Sequence, residues 1–212
     1  MSVIKHKEQR VAVFIDTQNL YHSAKNLYQS KVNFGAILEE SVAGRQLIRA
    51  RAYVVNTESG EENNFFEAME KLGIEIKTKD LQIFIGGAKK ADWDVGLAID
   101  ALTAAPKLDT VILVTGDGDF IPLVKYLQIN QGCQVEVVSF GRSSSGKLKE
   151  ACDDFTDMDE DPQKYLINYR KRRKRTIPKK QTPTKPTKNK ASTEAGEWKL
   201  ISGKDKKKHI KK

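Results

Sequence analysis

The sequence predicts an α/β fold, a doubly wound and mostly parallel sheet flanked by helices, followed by a disordered basic C-terminal tail. Short continuous apolar runs of strand length, such as RVAVFI at 10–15 and TVILV at 110–114, alternate with segments of helical spacing. That alternation closes into a parallel sheet with right-handed crossovers. Charge marks the tail: residues 1–160 carry 18 Lys and Arg against 24 Asp and Glu, net −6, while 161–212 carry 19 against 4, net +15, within an overall +9. The reading is a leader over 1–9, a domain over 10–160 and a tail over 161–212.

RVAVFI ends in Asp-Thr-Gln-Asn before a helix expected over 20–29. An aspartate closing a buried strand is costly unless paired, coordinated or solvated, so Asp16 is a candidate site residue. Asn19 could cap the helix or serve the same site. Residues 34–42 read as a helix closed by Gly44, 47–56 as a strand, and 63–72 as an amphipathic helix stopped by Gly73. Residues 74–85 alternate apolar with polar, which suits one or two strands bending near Lys79 and Asp80, their outer face wet.

GGAKKADWDVGLAIDAL, residues 86–102, leads through glycines and two lysines into a helix. Asp92 has the position of an N-cap and Asp94 lies in the first turn, where the helix dipole favours a carboxylate. Asp100 follows Asp94 by six residues, roughly 240° round a helix at about 100° per residue, so the two cannot share a face. Asp100 is therefore expected to pair with a basic group or orient a neighbour, and with Asp92 it stands second to Asp94.

DTVILV at 109–114 delivers TGDGDF. Gly116 and Gly118 permit a tight turn, so Asp117 and Asp119 emerge together at the carboxyl end of a parallel strand, where ligands of open α/β sheets bind. Two adjacent carboxylates suit Mg²⁺ or Mn²⁺, although Asp119 could equally cap the next helix. That helix spans 121–131 with Pro122 in its first turn, and a strand follows over 134–140. Gly141–Gly146 reads as a flexible loop on the acidic side, with Arg142 and Ser143 able to meet phosphate oxygens. Residues 147–152 read as a short helix and 153–161 as an acidic connector whose aspartates solvate a linker.

Two cysteines, Cys133 and Cys152, have neither zinc nor disulfide-framework spacing, and no apolar run approaches the ~18 residues that span a bilayer. A soluble, cytoplasmic protein without a membrane is expected. No GxxxxGK[ST] loop suggests an NTPase, and His6, His22 and His209 form no nucleophilic grouping. The tail, with RKRRKR at 170–175 and lysine, proline and threonine beyond, cannot bury a core and suits contact with phosphate backbones.

FIDTQNL at 14–20, DWDVGLAIDA at 92–101 and LVTGDGDFIPLV at 113–124 resemble, in order and spacing, the three signature blocks of the NYN domain, in its LabA-like branch of the PIN-like nuclease superfamily. The resemblance covers about residues 10–150. It implies a PIN-like sheet and an acidic pocket of Asp16, Asp94, Asp117 and Asp119 that binds Mg²⁺ or Mn²⁺ for hydrolysis of RNA. Asn19 matches the motif's asparagine, whereas Thr115 and Gly118 stand where the pattern often has serines, so one hydroxyl is kept and one removed. Lys89, Lys90 and Arg142, with Asn19, Thr115 and Ser143, are the expected substrate contacts. Two other readings stay open, an RNA-binding adaptor without turnover and another phosphoester enzyme, and homo-oligomerisation is possible on any of them.

Overall fold

Five consecutive fully buried residues, Val11 to Ile15, place the first strand at the centre of the sheet. The computed structural model describes residues 3–56, 63–80, 82–83, 89–90 and 93–169. In order the elements are β1 (Arg10–Asp16), α1 (Thr17–Tyr28), β2 (Lys31–Val32), α2 (Phe34–Val42), β3 (Gln46–Asn56), α3 (Asn63–Lys71), β4 (Glu75–Asp80), β5 (Gln82–Ile83) and β6 (Lys89–Lys90). Then come α4 (Asp94–Ala104), β7 (Thr110–Val114), α5 (Ile121–Gln131), β8 (Gln134–Ser139), α6 (Gly146–Ala151), β9 (Asp154–Asp157), α7 (Pro162–Tyr165) and β10 (Leu166–Ile167).

Six strands form one sheet in the order β4-β3-β1-β7-β8-β9, every pair parallel. The chain winds outward from β1 through β3 to β4, then returns to β7 and winds the other way through β8 to β9. Between β1 and β7 the winding reverses, and the crevice beyond their carboxyl ends is where doubly wound sheets bind ligands. Alternation along each strand feeds two cores. Val13, Ile15, Ile112 and Val114 pack with Leu20, Ala24 and Ile37 of α1 and α2, while Ala12, Phe14, Val111 and Leu113 pack with Leu97, Ala101, Val124 and Leu127 of α4 and α5.

Several boundaries differ from the sequence expectation. The first helix starts at Thr17, three residues early, because Asp16 rather than Asn19 caps it, accepting the Asn19 N–H at 3.1 Å. The expected acidic linker is instead an edge strand, β9, in register with Glu136–Ser139. Its aspartates are structural acceptors: Asp153 takes the Val135 N–H at 2.7 Å, and Asp157 takes those of Gly141 and Asp159, each at 2.8 Å. Folding also continues beyond Glu160. Tyr165 and Leu166 are buried, and β10 pairs antiparallel with β2. Residues 170–212, with the basic run, lie outside the described residues, as do Asp92 and the side chains of Lys89 and Lys90. No helix among the described residues is long and apolar enough to cross a membrane.

Candidate metal centre

Site residues issue from three places: the carboxyl ends of β1 and β7 and the first turn of α4. One oxygen each from Asp94, Asp117 and Asp119 lies within 4.8 Å of the others, although Asp94 precedes the β7 turn by more than twenty residues. Three carboxylates at that spacing, with no nitrogen or sulfur donor among them, are a hard oxygen set that suits Mg²⁺ or Mn²⁺. Asp119 is exposed and the other two half-buried, so the set opens to solvent on one side.

Local bonding explains why the turn takes this shape. Thr115, fully buried, donates its hydroxyl to Asp16 Oδ2 at 3.2 Å and accepts the Asp117 N–H at 3.2 Å. Asp117 Oδ1 accepts the Asp119 N–H at 2.9 Å, capping the 3₁₀ turn Gly118–Phe120. Asn19 Oδ1 accepts the Gly116 N–H at 2.9 Å, which ties the start of α1 to the turn. Gly116 must be glycine, since a Cβ there would stand 2.7 Å from Ser144 Oγ and 3.0 Å from the Ser144 Cα. From the far side the Ser145 N–H bonds the Gly116 carbonyl at 2.9 Å.

Asp16 stands beside the three carboxylates rather than among them. Both its oxygens are engaged, one by the Asn19 N–H and one by Thr115. Burial pushes its carboxyl above the usual range against those two hydrogen bonds, and the neighbouring charge of Asp117 pushes the same way. Asn19 and Thr115, read from the sequence as substrate contacts, here hold backbone and Asp16.

Trp93, which the sequence did not single out, sets the start of α4. Its indole N–H donates to the Val54 carbonyl at 2.9 Å and its ring packs on Tyr53. The ring lies so close to the helix that a Cβ at Gly96 would approach it to 2.6 Å. Asp94 follows Trp93 directly, so the anchored indole fixes where that carboxylate begins.

Asp100 turns away from the cluster and takes Tyr53 Oη at 2.8 Å, Lys77 Nζ at 2.6 Å and Arg51 Nη1 at 3.2 Å. Burial opposes its ionisation, but the hydrogen bonds from Lys77 and Tyr53 and the charge of Arg51 hold it below the usual carboxylate range. Because its folded pKa lies below the unfolded value of about 3.9, its contribution is present above that pH and lost as pH falls through the folded pKa. Asp100→Asn is expected to cost about 1–3 kcal/mol in urea unfolding at pH 7, a cost that shrinks as pH falls below about 3.9.

Arg142 and Ser143 are occupied elsewhere. The Arg142 guanidinium lies over the Tyr28 ring at 4.8 Å and pairs with Asp159 at 3.4 Å, while Ser143 Oγ bonds Ser23 Oγ at 2.9 Å. The expected flexible loop is therefore a pinned turn, and a Cβ at Gly141 would collide with the Asp157 carboxylate. A groove of about 760 Å³ lined by Tyr28, Arg142, Asp159, Pro162 and Tyr169 contains none of the three clustered carboxylates.

The chain matches the NYN domain family over residues 10–159. It is 26% identical over 165 residues to the low amplitude and bright protein LabA of Synechococcus elongatus, covering 73% of this chain and 86% of LabA. The crystal structure of a Vibrio parahaemolyticus protein of unknown function aligns with a TM-score of 0.70 at 28% identity, covering 78% of this chain and all of the other. Family match, relative and fold agree over the segment that carries the acidic cluster, and the chain belongs to the NYN domain family, in its LabA-like branch.

Proposed function

We propose that the protein is a divalent-metal-dependent ribonuclease of the cytoplasm that hydrolyses RNA phosphodiester bonds at the carboxyl ends of β1 and β7. One observation carries the reading: carboxylates from α4 and from the β7 turn converge within 4.8 Å at the place where the winding of the sheet reverses. Asp94, Asp117 and Asp119 would hold the ion. When bound, Mg²⁺ or Mn²⁺ supplies polarisation of a phosphate oxygen and of water, so no protein nucleophile is required. Asp16 adds negative potential at the rear and, with Asn19 and Thr115, keeps the turn in one geometry, which leaves the three ligands little reorganisation on binding.

Thr115 and Gly118 leave the acidic count intact, and none of the site residues is a histidine. A second reading, an RNA-binding adaptor, draws on the net +15 of residues 161–212, which would hold phosphate backbones whether or not the domain turns over. Incubation of a mixed single-stranded and structured RNA pool with Mg²⁺ or Mn²⁺ separates the two. Cleavage that disappears in EDTA and in Asp117→Asn supports the nuclease. Intact RNA in every condition, with metal still raising the melting temperature, favours the adaptor.

A further inference from the structure

We infer that the hydroxyl of Ser145, on the loop after β8, is a substrate contact of the acidic centre, donating to a non-bridging oxygen of the phosphate held there. The inference rests on the nuclease reading and names the residue that meets the phosphate where carboxylates cannot. Ser145 is fastened to the β7 turn on both sides of Asp117. Its N–H bonds the Gly116 carbonyl at 2.9 Å, and its side chain stands against Gly118, where an added Cβ would meet Ser145 Oγ at 2.9 Å and Ser145 Cβ at 3.2 Å. Gly118 is the one residue between Asp117 and Asp119, so the hydroxyl abuts the link between two of the three clustered carboxylates.

This hydroxyl is also uncommitted. Ser145 is the N-cap residue of α6, and a serine there ordinarily turns its oxygen to a backbone N–H of the first turn. Here it makes no cap bond, and it has no hydrogen bond to any other described residue. The two serines before it are spent: Ser143 Oγ bonds Ser23 Oγ at 2.9 Å, and Ser144 Oγ donates to the Phe140 carbonyl at 2.7 Å. Ser145 is half-buried, with its backbone anchored and its hydroxyl within reach of solvent.

A positioned donor is what the centre needs. Carboxylates only accept hydrogen bonds, and so do the oxygens of a phosphodiester. The donors of the turn are used within it. The N–H groups of Gly116, Asp117, Asp119 and Phe120 go to Asn19 Oδ1, Thr115 Oγ1, Asp117 Oδ1 and the Asp117 carbonyl, and the Thr115 hydroxyl goes to Asp16. A hydroxyl bonded to a charged phosphate oxygen is stronger than a neutral pair, and a donor fixed before the substrate arrives needs no reorganisation.

Three measurements on the full chain test it: RNA cleavage with Mn²⁺, calorimetric Mn²⁺ affinity, and the affinity of a labelled single-stranded RNA oligonucleotide in Ca²⁺ relative to EDTA, Ca²⁺ being a hard ion that takes the same oxygen ligands. Ser145→Ala is expected to lower cleavage about 10–100-fold, the worth of one hydrogen bond to a charged group, and to shrink the Ca²⁺-dependent gain in RNA affinity about tenfold. Mn²⁺ affinity stays at the wild-type value and Tm within about 2 °C of it, since no ligand and no cap bond is removed. Ser145→Thr, which keeps the hydroxyl, keeps most of both activities. Unchanged cleavage and binding in Ser145→Ala overturn the inference, and so does a loss accompanied by weaker Mn²⁺ binding or a lower Tm, which marks a structural role. A wild-type protein that cuts no RNA, yet loses its Ca²⁺-dependent gain through Ser145→Ala, refutes the nuclease reading alone. One that cuts RNA, with Ser145→Ala at the full rate, refutes the Ser145 contact alone.

Discussion

Asp117→Asn is expected to abolish metal-induced stabilisation and to lower RNA cleavage by two orders of magnitude or more, while leaving the protein no less stable than wild type in EDTA. The substitution removes one of three mutually repelling charges yet retains the oxygen that accepts the Asp119 N–H at 2.9 Å, so the turn keeps its cap. An ion that binds only the folded state stabilises it by mass action, about 2.7 kcal/mol at a hundredfold excess over its dissociation constant. In a domain of this size that corresponds to a rise in Tm of roughly 5–10 °C. Supporting residues around metal ligands are worth roughly 10–100-fold in affinity or activity, and a direct ligand should be worth at least as much. Melting curves with and without Mn²⁺, beside an RNA cleavage assay, check all three. Cleavage retained by the variant would assign the activity to another site or to a contaminant.

Glu136→Ala is expected to cost about 3–5 kcal/mol, the largest stability effect of any single substitution considered. Arg45 and Glu136 are 5% and 2% exposed and meet through two hydrogen bonds of 2.6 and 2.9 Å. The same guanidinium donates to the carbonyls of Val42 and Ser41, and Lys5 reaches Glu136 at 3.3 Å. Removing the carboxylate leaves a buried guanidinium without its counter-charge, which is the costly case, whereas replacing both partners by apolar groups often is not. Arg45→Met with Glu136→Leu should therefore recover most of the loss. Urea unfolding with unchanged m-value measures it, and a cost below about 1 kcal/mol for Glu136→Ala would show that water reaches the pair.

How far the site could be read from the sequence depended on whether the information was local. Val11 to Ile15 and Val111 to Val114 are uninterrupted apolar runs, so their burial on both faces was evident, and with it the carboxyl edge that carries Asp117 and Asp119. Asp94 was legible through the dipole and motif position of its helix start. Asp100 was legible too, since about 240° of rotation separates it from Asp94, and the structure pairs it with Lys77 and Arg51.

Tertiary partners were not legible. DDFTDMD at 153–159 has no apolar run, and it becomes a strand only because β8 offers an open edge and Asp153 and Asp157 take backbone N–H groups there. Arg142 looked available for phosphate, but Tyr28 and Asp159, distant in sequence, engage it. Asp16 reads from the sequence as a ligand with the others, while its hydrogen bonds to the Asn19 N–H and the Thr115 hydroxyl come from the fold.

Calorimetric titration of Mn²⁺ into the wild-type protein and into Asp94→Asn tests the central claim most directly, because Asp94 reaches the cluster from a different element than Asp117 and Asp119. Saturable binding to wild type, weakened tenfold or more in the variant, is the expected result. Absence of saturable binding to wild type, or equal affinity in the two proteins, would contradict a metal centre built jointly by α4 and the β7 turn.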